Sequence, residues 1–199
     1  MTRLAGEHMS LRPYRVDEAA ILESTWADAE WFAPKGTGPR ELTARVRERI
    51  RRSGSFTEGA LILAIEARGR LIGEVQARQP VNGLPPGVFE LGIELFDDAD
   101  RGHGLGADAV VALTRHLFDD QGAHRVQLTT DVENAAMRRV AERLGYTFEG
   151  VLRSFMPGPD GPRDYAMYAV TKHDADERAA ERTDADARND SDGPNDTWI

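Results

Sequence analysis

Six consecutive residues, Arg101-Gly102-His103-Gly104-Leu105-Gly106, stand between a strand-like run and a helix-like run. Glycine tolerates positive φ and lets the backbone approach a ligand closely. Consecutive N–H groups joined to the positive end of a helix form an anion cradle suited to a pyrophosphate. A glycine-rich turn with no ligand is the competing reading. The same letters also fit Gly-x-Gly-x-x-Ala ending at Ala107, a dinucleotide fingerprint. Against that stand the polar Asp97–Arg101 segment before the first glycine and the position of the unit mid-chain, without repeated βαβ halves. A second chemical feature precedes the loop. In an extended Val88–Phe96, the carboxylates of Glu90 and Glu94 share one face, and Phe89, Leu91, Ile93 and Leu95 share the other.

These residues need elements to hold them. His8–Pro13 reads as a short strand stopped by Pro13. Asp17 reads as the N-cap of a helix running through Ala20, Ile21 and Glu23–Trp26. Ala33–Pro39 is a Pro/Gly loop, and Arg40–Arg52 is helical, with Leu42, Val46 and Ile50 on one stripe. Ala60–Glu66 and Leu71–Arg78 form a hairpin across Ala67-Arg68-Gly69-Arg70. After a proline-rich loop come the strand Val88–Phe96, a helix over Gly104–Gln121 and a strand over Arg125–Thr130, a βαβ unit with parallel strands. Asn134–Leu144 is a helix with Asn134 at its N-cap and Gly145 just past its end. Tyr146–Val151 and Tyr165–Thr171 complete the strands. The fold class is α+β, a mixed sheet with helices on both faces.

Composition sets the limits. The chain of 199 residues is 40% hydrophobic and 30% charged, which suits one soluble globular domain. The longest apolar run, Ala60–Ile65, is far below the ~20 residues of a spanning helix, so no membrane partner is expected. The start MTRLAGEHMS carries no apolar export segment, which makes a cytoplasmic location the expectation. With no cysteine, thiolate metal sites and a thiol nucleophile are excluded, and no metal is expected. Residues 173–199 hold nine Asp/Glu and three Arg, so most of the net charge of −9 belongs to this tail. The remainder is mildly acidic, which argues against a stable nucleic-acid partner. The tail has little apolar content and no periodicity, and is expected to be disordered. The domain expectation is therefore a folded unit over 1–172 and an acidic tail over 173–199.

The combined pattern resembles a known family. FELGIELFDDADRGHGLGADAVVALTRHLF and HRVQLTTDVENAAMRRVAERLGYTFEGVLR are similar to the core of Gcn5-related N-acetyltransferases (GNAT). The first run matches the family's Arg/Gln-x-x-Gly-x-Gly/Ala loop and helix. The second matches its next strand, an Asn-initiated helix and a Leu-Gly-Tyr/Phe strand start. With LRPYRVDEA at the front and the run Phe-Glu-Gly-Val-Leu-Arg, the chain looks most like the branch that acetylates ribosomal-protein N-termini, together with its small-molecule relatives. The resemblance covers about residues 9–171 and implies a mostly antiparallel sheet of about seven strands with a splayed parallel pair.

It also implies roles. Acetyl-CoA would be the cosubstrate, its pantetheine arm pairing with the free edge of the strand before the loop, through backbone groups around Leu95 and Phe96. Arg101, Gly102, His103, Gly104, Leu105 and Gly106 would hold the pyrophosphate. His103 stands where the family often has a basic residue near a phosphate, although a solvent-exposed loop histidine reads equally well. Asn134 would contact the cofactor arm and cap its helix at once. Trp26, Trp31 and Phe32 fall in and before the loop that forms one acceptor-site wall in this family, with core packing as the alternative fate.

Two positions depart from the pattern. The tyrosine that often protonates the leaving thiolate is replaced by Ala141, and a serine common in the ribosomal branch by Met137. Tyr146, Tyr165, Tyr168 or a water are the candidates left. Glu94, nearest the expected splay, is the candidate general base, against the plain reading of an exposed strand carboxylate. The expected activity is direct acetyl transfer to a primary amine of a protein N-terminus or small molecule. A degenerate acyl-CoA-binding regulatory or scaffold module is the alternative. Homodimerisation is left open.

Overall fold

A computed structural model describes residues 1–27, 29, 33–79, 83–158 and 160–191, the last ten of these as helical backbone only. The strands are β1 (Leu4–Ala5), β2 (Ser10–Arg12), β3 (Ala60–Ala67), β4 (Arg70–Arg78), β5 (Val88–Leu95), β6 (Arg125–Asp131), β7 (Thr147–Met156) and β8 (Arg163–Thr171). They form one sheet in the order β1-β2-β3-β4-β5-β6-β8-β7. Every neighbouring pair is antiparallel except β5–β6. The helices are α1 (Ala19–Trp26), α2 (Pro39–Arg52), α3 (Leu105–Asp120), α4 (Ala135–Arg143) and α5 (Lys172–Ser191). Eight strands stand where about seven are expected, the extra one being the two-residue β1.

The apolar residues of the sheet divide between two helix layers. Leu61, Leu63, Ile65, Val75, Ala77, Phe89, Leu91, Val126 and Leu128 pack with α3 residues Ala109, Val110, Leu113 and Leu117 and with Ala141 of α4. On the opposite face Ile62 and Ala64 pack with Tyr14, Leu22 and Trp26, and with Val46 of α2. The alternation along β3 therefore feeds both cores, which is why Ala60–Ile65 reads as an unbroken apolar run. The β3–β4 turn places Arg68 at φ 52 and Gly69 at φ 73, the two left-handed residues of a tight hairpin matched to strand twist.

Three features differ from the sequence reading. Arg15, rather than Asp17, sits at the cap of the first helical turn, and its N–H donates to Glu18 Oε2 at 2.7 Å. The Glu18 carboxylate is fixed there because Arg12, 2% exposed, lies between Glu18 and Glu66. β7 runs on to Met156, past irregularities at Phe148/Gly150 and Leu152/Met156 that break the alternation on which a strand boundary is read.

The third difference is the tail. Residues 172–191 form α5 where composition predicts disorder, while the rest of the expected tail, 192–199, lies outside the described residues. Asp174 and Thr171 cap its start reciprocally, at 3.0 and 3.2 Å. Ala175 packs on the core, Arg178 donates to Gly145 O, and Lys172 pairs with Asp176 four residues on. Composition weighs how much surface a segment buries, and misses a helix fastened at its first two turns. Among the described residues no helix is long and apolar enough to cross a membrane.

Candidate active site

β5 and β6 pair over only three positions, Val88–Arg125, Phe89–Val126 and Glu90–Gln127. Beyond Glu90 the two strands part. β5 stays paired to β4 as far as Leu95, and β6 to β8 as far as Asp131. The sheet therefore opens into a V, with one free edge on β5. The N–H of Phe96 donates to Ile72 O at 3.0 Å, so it turns into the sheet. By the alternation of an antiparallel ladder, Leu95 and Ile93 aim their N–H and C=O groups into the opening. Leu95 O there accepts a hydrogen bond from Arg101 Nη2 at 3.3 Å. Of the two residues expected to pair with the cofactor arm, Leu95 presents backbone groups to the gap. Phe96 spends its N–H on β4 and its ring on Trp26.

The glycine loop closes the wide end of the V. Asp97 accepts from Ala99 N at 2.8 Å and caps a 3-10 turn over Asp98–Asp100, which Arg70 holds through Asp100 at 2.8 Å. Gly102 and Gly104 follow at φ 79 and φ 80, and no atom lies within 4 Å of where a Cβ would stand on either. The first helical bond of α3 runs from Asp108 N to Gly104 O, so the N–H groups of Leu105, Gly106 and Ala107 precede the ladder. A Cβ on Gly106 would make ordinary contacts of 3.6 and 3.7 Å with Ile93 and Leu95, so packing does not demand glycine there. Backbone donors, left-handed glycines and open space above them are what a pyrophosphate cradle requires. Arg101 and His103 flank it, both exposed.

Asn134 caps α4, its Oδ1 accepting from Met137 N at 3.1 Å. That cap lies three residues beyond the end of β6, on the other arm of the V.

The opposite face of β5 carries Glu94, partly buried at the mouth of the V. Trp26 Nε1 donates to Glu94 Oε2 at 3.4 Å. Desolvation holds the Glu94 carboxyl above the ordinary carboxylate range. The Trp26 bond works against that shift, neighbouring Glu74 adds to it, and Arg49 and Arg101 oppose it. Glu74 is the cross-strand partner of Glu94 and is itself buried. It accepts from Tyr14 Oη at 2.9 Å, from Arg49 Nε at 2.7 Å and from Arg49 Nη2. The Arg49 guanidinium stands 5.4 Å from the Trp26 ring centroid, and Trp26 meets Tyr14 and Phe96 edge-on at 6.3 and 5.8 Å. Other acidic groups of the sheet have arginine partners: Glu66 with Arg12, Glu90 with Arg78, Asp131 with Arg163 and Glu149 with Arg125. Among the described residues Glu94 has no such ion pair.

Of the aromatic residues expected to wall an acceptor site, Trp26 is fully buried. Its contacts to the Tyr14 and Phe96 rings put it in the smaller core, from which its indole N–H donates to Glu94. Trp31 and Phe32 lie outside the described residues. The candidate tyrosines separate cleanly. Tyr146 is buried against α3, its hydroxyl 2.6 Å from Thr114 Oγ1, and burial pushes its pKa up. Tyr168 is buried between Arg138 and Glu142 of α4. Tyr165 is partly exposed on β8, in register with Asp131 of β6, on the face away from α4.

Sequence reasoning missed Tyr14, Arg49 and Glu74. A signal exists for two of them. Arg49 stands on the same stripe of α2 as Leu42 and Val46, and Glu74 interrupts the apolar run of β4.

A sequence profile described as an acetyltransferase (GNAT) domain matches residues 8–147, well over half of the chain. The chain belongs to the GNAT acetyltransferase family. A mycothiol acetyltransferase of Pseudarthrobacter chlorophenolicus is 31% identical over 145 residues, which cover 71% of this chain and 43% of that protein. The chain thus spans under half the length of that relative. The GNAT fold is seen again in solved structures. Mycobacterium smegmatis RimJ in complex with CoA-disulfide superposes with a TM-score of 0.71 at 21% identity, covering 86% of this chain and 88% of that one. RimL, a ribosomal L7/L12 α-N-protein acetyltransferase in complex with coenzyme A, gives 0.68 at 19% identity over 83% of this chain and 94% of its own.

Proposed function

We propose that this GNAT chain moves an acetyl group from acetyl-CoA to the primary amine of a protein N-terminus or small molecule, by direct transfer in a ternary complex. The observation that carries the reading is the V between β5 and β6, which has a glycine cradle at its open end on one face and an unpaired, partly buried carboxylate on the other. Acetyl-CoA supplies an activated thioester. The chain's own residues do the rest.

The backbone N–H groups of Leu105–Ala107, with Gly102 and Gly104, would hold the pyrophosphate, and the free edge of Ile93 and Leu95 would take the amides of the pantetheine arm as an added strand does. A backbone N–H on this edge also suits a developing oxyanion, since it is fixed before the reaction and needs no reorganisation. Asn134 would stay as helix cap while its side chain borders the arm. Glu94, at the mouth of the V, takes the proton of the incoming ammonium, because a primary amine is mostly charged near neutral pH and attacks only when neutral. A carboxyl held above its ordinary range is a stronger base than an exposed one. Tyr165 is the tyrosine on the acceptor side with a hydroxyl not committed to α3 or α4, and it is our choice for returning a proton to the leaving thiolate.

An acceptor panel with acetyl-CoA, read by release of free thiol, tests the assignment. Transfer to an amine supports it. Tight acetyl-CoA binding with no transfer to peptide N-termini, amino sugars, amino acids or polyamines overturns it in favour of a binding module.

A further inference from the structure

Trp26 closes α1, and Leu22 and Trp26, one turn apart on that helix, both face the smaller core. The Trp26 side chain is fully buried. Tyr14 and Phe96 meet its ring edge-on at 6.3 and 5.8 Å, and the Arg49 guanidinium, anchored on Glu74, stands 5.4 Å from its centroid. A ring packed on these sides keeps one rotamer, so its N–H has a fixed direction. That direction meets Glu94, whose Oε2 accepts from Nε1 at 3.4 Å. Among the described residues no arginine pairs with Glu94, and its Oε1 accepts no hydrogen bond. One oxygen of this carboxylate is thus held from the core, and the other is left open.

We propose that Trp26 is a positioning residue for the transfer: its indole N–H holds Oε2 of Glu94 and leaves Oε1 as the oxygen that meets the ammonium proton. The proposal rests on the assignment of Glu94 as general base. A base must come within about 2.6–3.2 Å of the group whose proton it takes, so orientation counts as much as basicity. A glutamate without partners spreads over several rotamers, and ordering it during the reaction costs entropy. A donor fixed in the core orders it before the amine arrives. The bond also acts on charge. Burial raises the Glu94 pKa, and the Trp26 N–H, which favours the carboxylate, is the strongest influence opposing that rise. Without it, Glu94 stays protonated to higher pH.

Trp26→Phe keeps a ring in the core and removes the donor. It is expected to lower kcat about tenfold, the scale of one hydrogen bond to a charged group, with acetyl-CoA affinity unchanged. The acid limb of kcat/KM is expected to move to higher pH, which a loss of packing alone would not do. In a Glu94→Gln background the same substitution is expected to cost no further rate, because the group it acts through is already disabled. Nitrogen–proton NMR reads the contact with Trp26 in place. The chain has three tryptophans, and Trp31→Phe and Trp198→Phe assign the indole signal of Trp26. That signal is expected to shift over the pH interval in which the rate rises, and Glu94→Gln is expected to abolish the shift. The titration decides even where Trp26→Phe does not fold. An indole signal that does not follow Glu94, an unmoved acid limb in Trp26→Phe, or losses that multiply in the double variant overturn this inference alone. Full kcat in Glu94→Gln overturns the base assignment, and this inference with it.

Discussion

Arg49→Met is the perturbation that tests the smaller core and the site together. Arg49 and Glu74 have side chains 14% and 4% exposed, and Glu74 has three hydrogen bonds, two of them from Arg49. Removing one partner of a buried ion pair costs about 3–5 kcal/mol, because the other charge stays behind unpaired. Tyr14 Oη still donates to Glu74, which places the cost near the lower end, about 3 kcal/mol. Loss of the stacking on Trp26 adds about 0.5–1 kcal/mol. For a chain of this length the combined loss, about 3.5–4 kcal/mol, is a fall in Tm of about 7–16 °C.

The double variant Arg49→Met/Glu74→Leu removes both charges; it leaves the buried Tyr14 hydroxyl without its acceptor, a cost of about 1–3 kcal/mol, and Gln76 Oε1 without a weak donor. It is expected to recover part of the single-variant loss. Urea unfolding followed by tryptophan fluorescence measures both, with buried Trp26 as a reporter. A loss below about 1 kcal/mol in Arg49→Met would show that the pair contributes little to stability. A double variant no more stable than the single would refute the claim that stranded charge is the cause. The same change should also be visible at the site. Arg49 opposes the upward shift of Glu94. Without it, the acid limb of kcat/KM moves to higher pH.

Four further outcomes are expected. Glu94→Gln should lower kcat by about 10²–10⁴-fold with little change in acetyl-CoA affinity. In wild type the rate should rise as pH climbs through a value above the ordinary carboxylate range. Because the raised value favours the protonated form in the folded state, stability should fall with pH over the same interval, and Glu94→Gln should remove both slopes. A Cβ at Gly104 meets no atom within 4 Å, but Gly104→Val forces a branched residue to φ 80, so calorimetry should show loss of coenzyme A binding while the protein stays folded. Truncation after His173 removes the Asp174 cap, Ala175 and the Arg178 bond to Gly145 O, and should lower Tm by about 2–6 °C. Truncation after Glu181 retains all three and should leave Tm unchanged. Tyr165→Phe should lower kcat by about 10²-fold with unchanged acetyl-CoA affinity, and an unchanged kcat would assign the thiolate proton to water.

What the sequence discloses here depends on how far apart the interacting residues lie. The strand over Val88–Leu95 and the faces of Glu94 and Leu91 follow from alternation within eight residues. Gly102 and Gly104 sit at positive φ where a loop must turn into a helix, and that requirement is local. The pairing of Arg49 with Glu74 joins residues 25 apart on a helix and a strand, and nothing in either segment alone specifies it. Trp26 illustrates the same limit. Its position near the end of α1 is readable, but whether its ring faces an acceptor or lies beneath it depends on Tyr14 and Phe96 closing over it from other segments. The tail misleads for the opposite reason, since its short-range caps and i,i+4 pairs outweigh a composition that suggests no structure.

Asp108 poses the remaining electrostatic question. A carboxylate in the first turn of α3 stands beside a helix end that must hold an anion, and a free charge there would oppose binding. Its two oxygens are turned the other way and accept from Glu7 N at 2.9 Å and His8 N at 2.7 Å. A Cβ on Gly6 would lie 2.5 Å from both oxygens, so the chain can make this contact only with glycine at that position. The negative charge is thereby spent on the backbone of the segment joining β1 to β2. The N-terminal hairpin is thereby fastened to the helix that follows the glycine loop. An acidic first turn and a glycine at position 6 are thus two sides of one contact, and the positive end of α3 is left for the anion we propose that it holds.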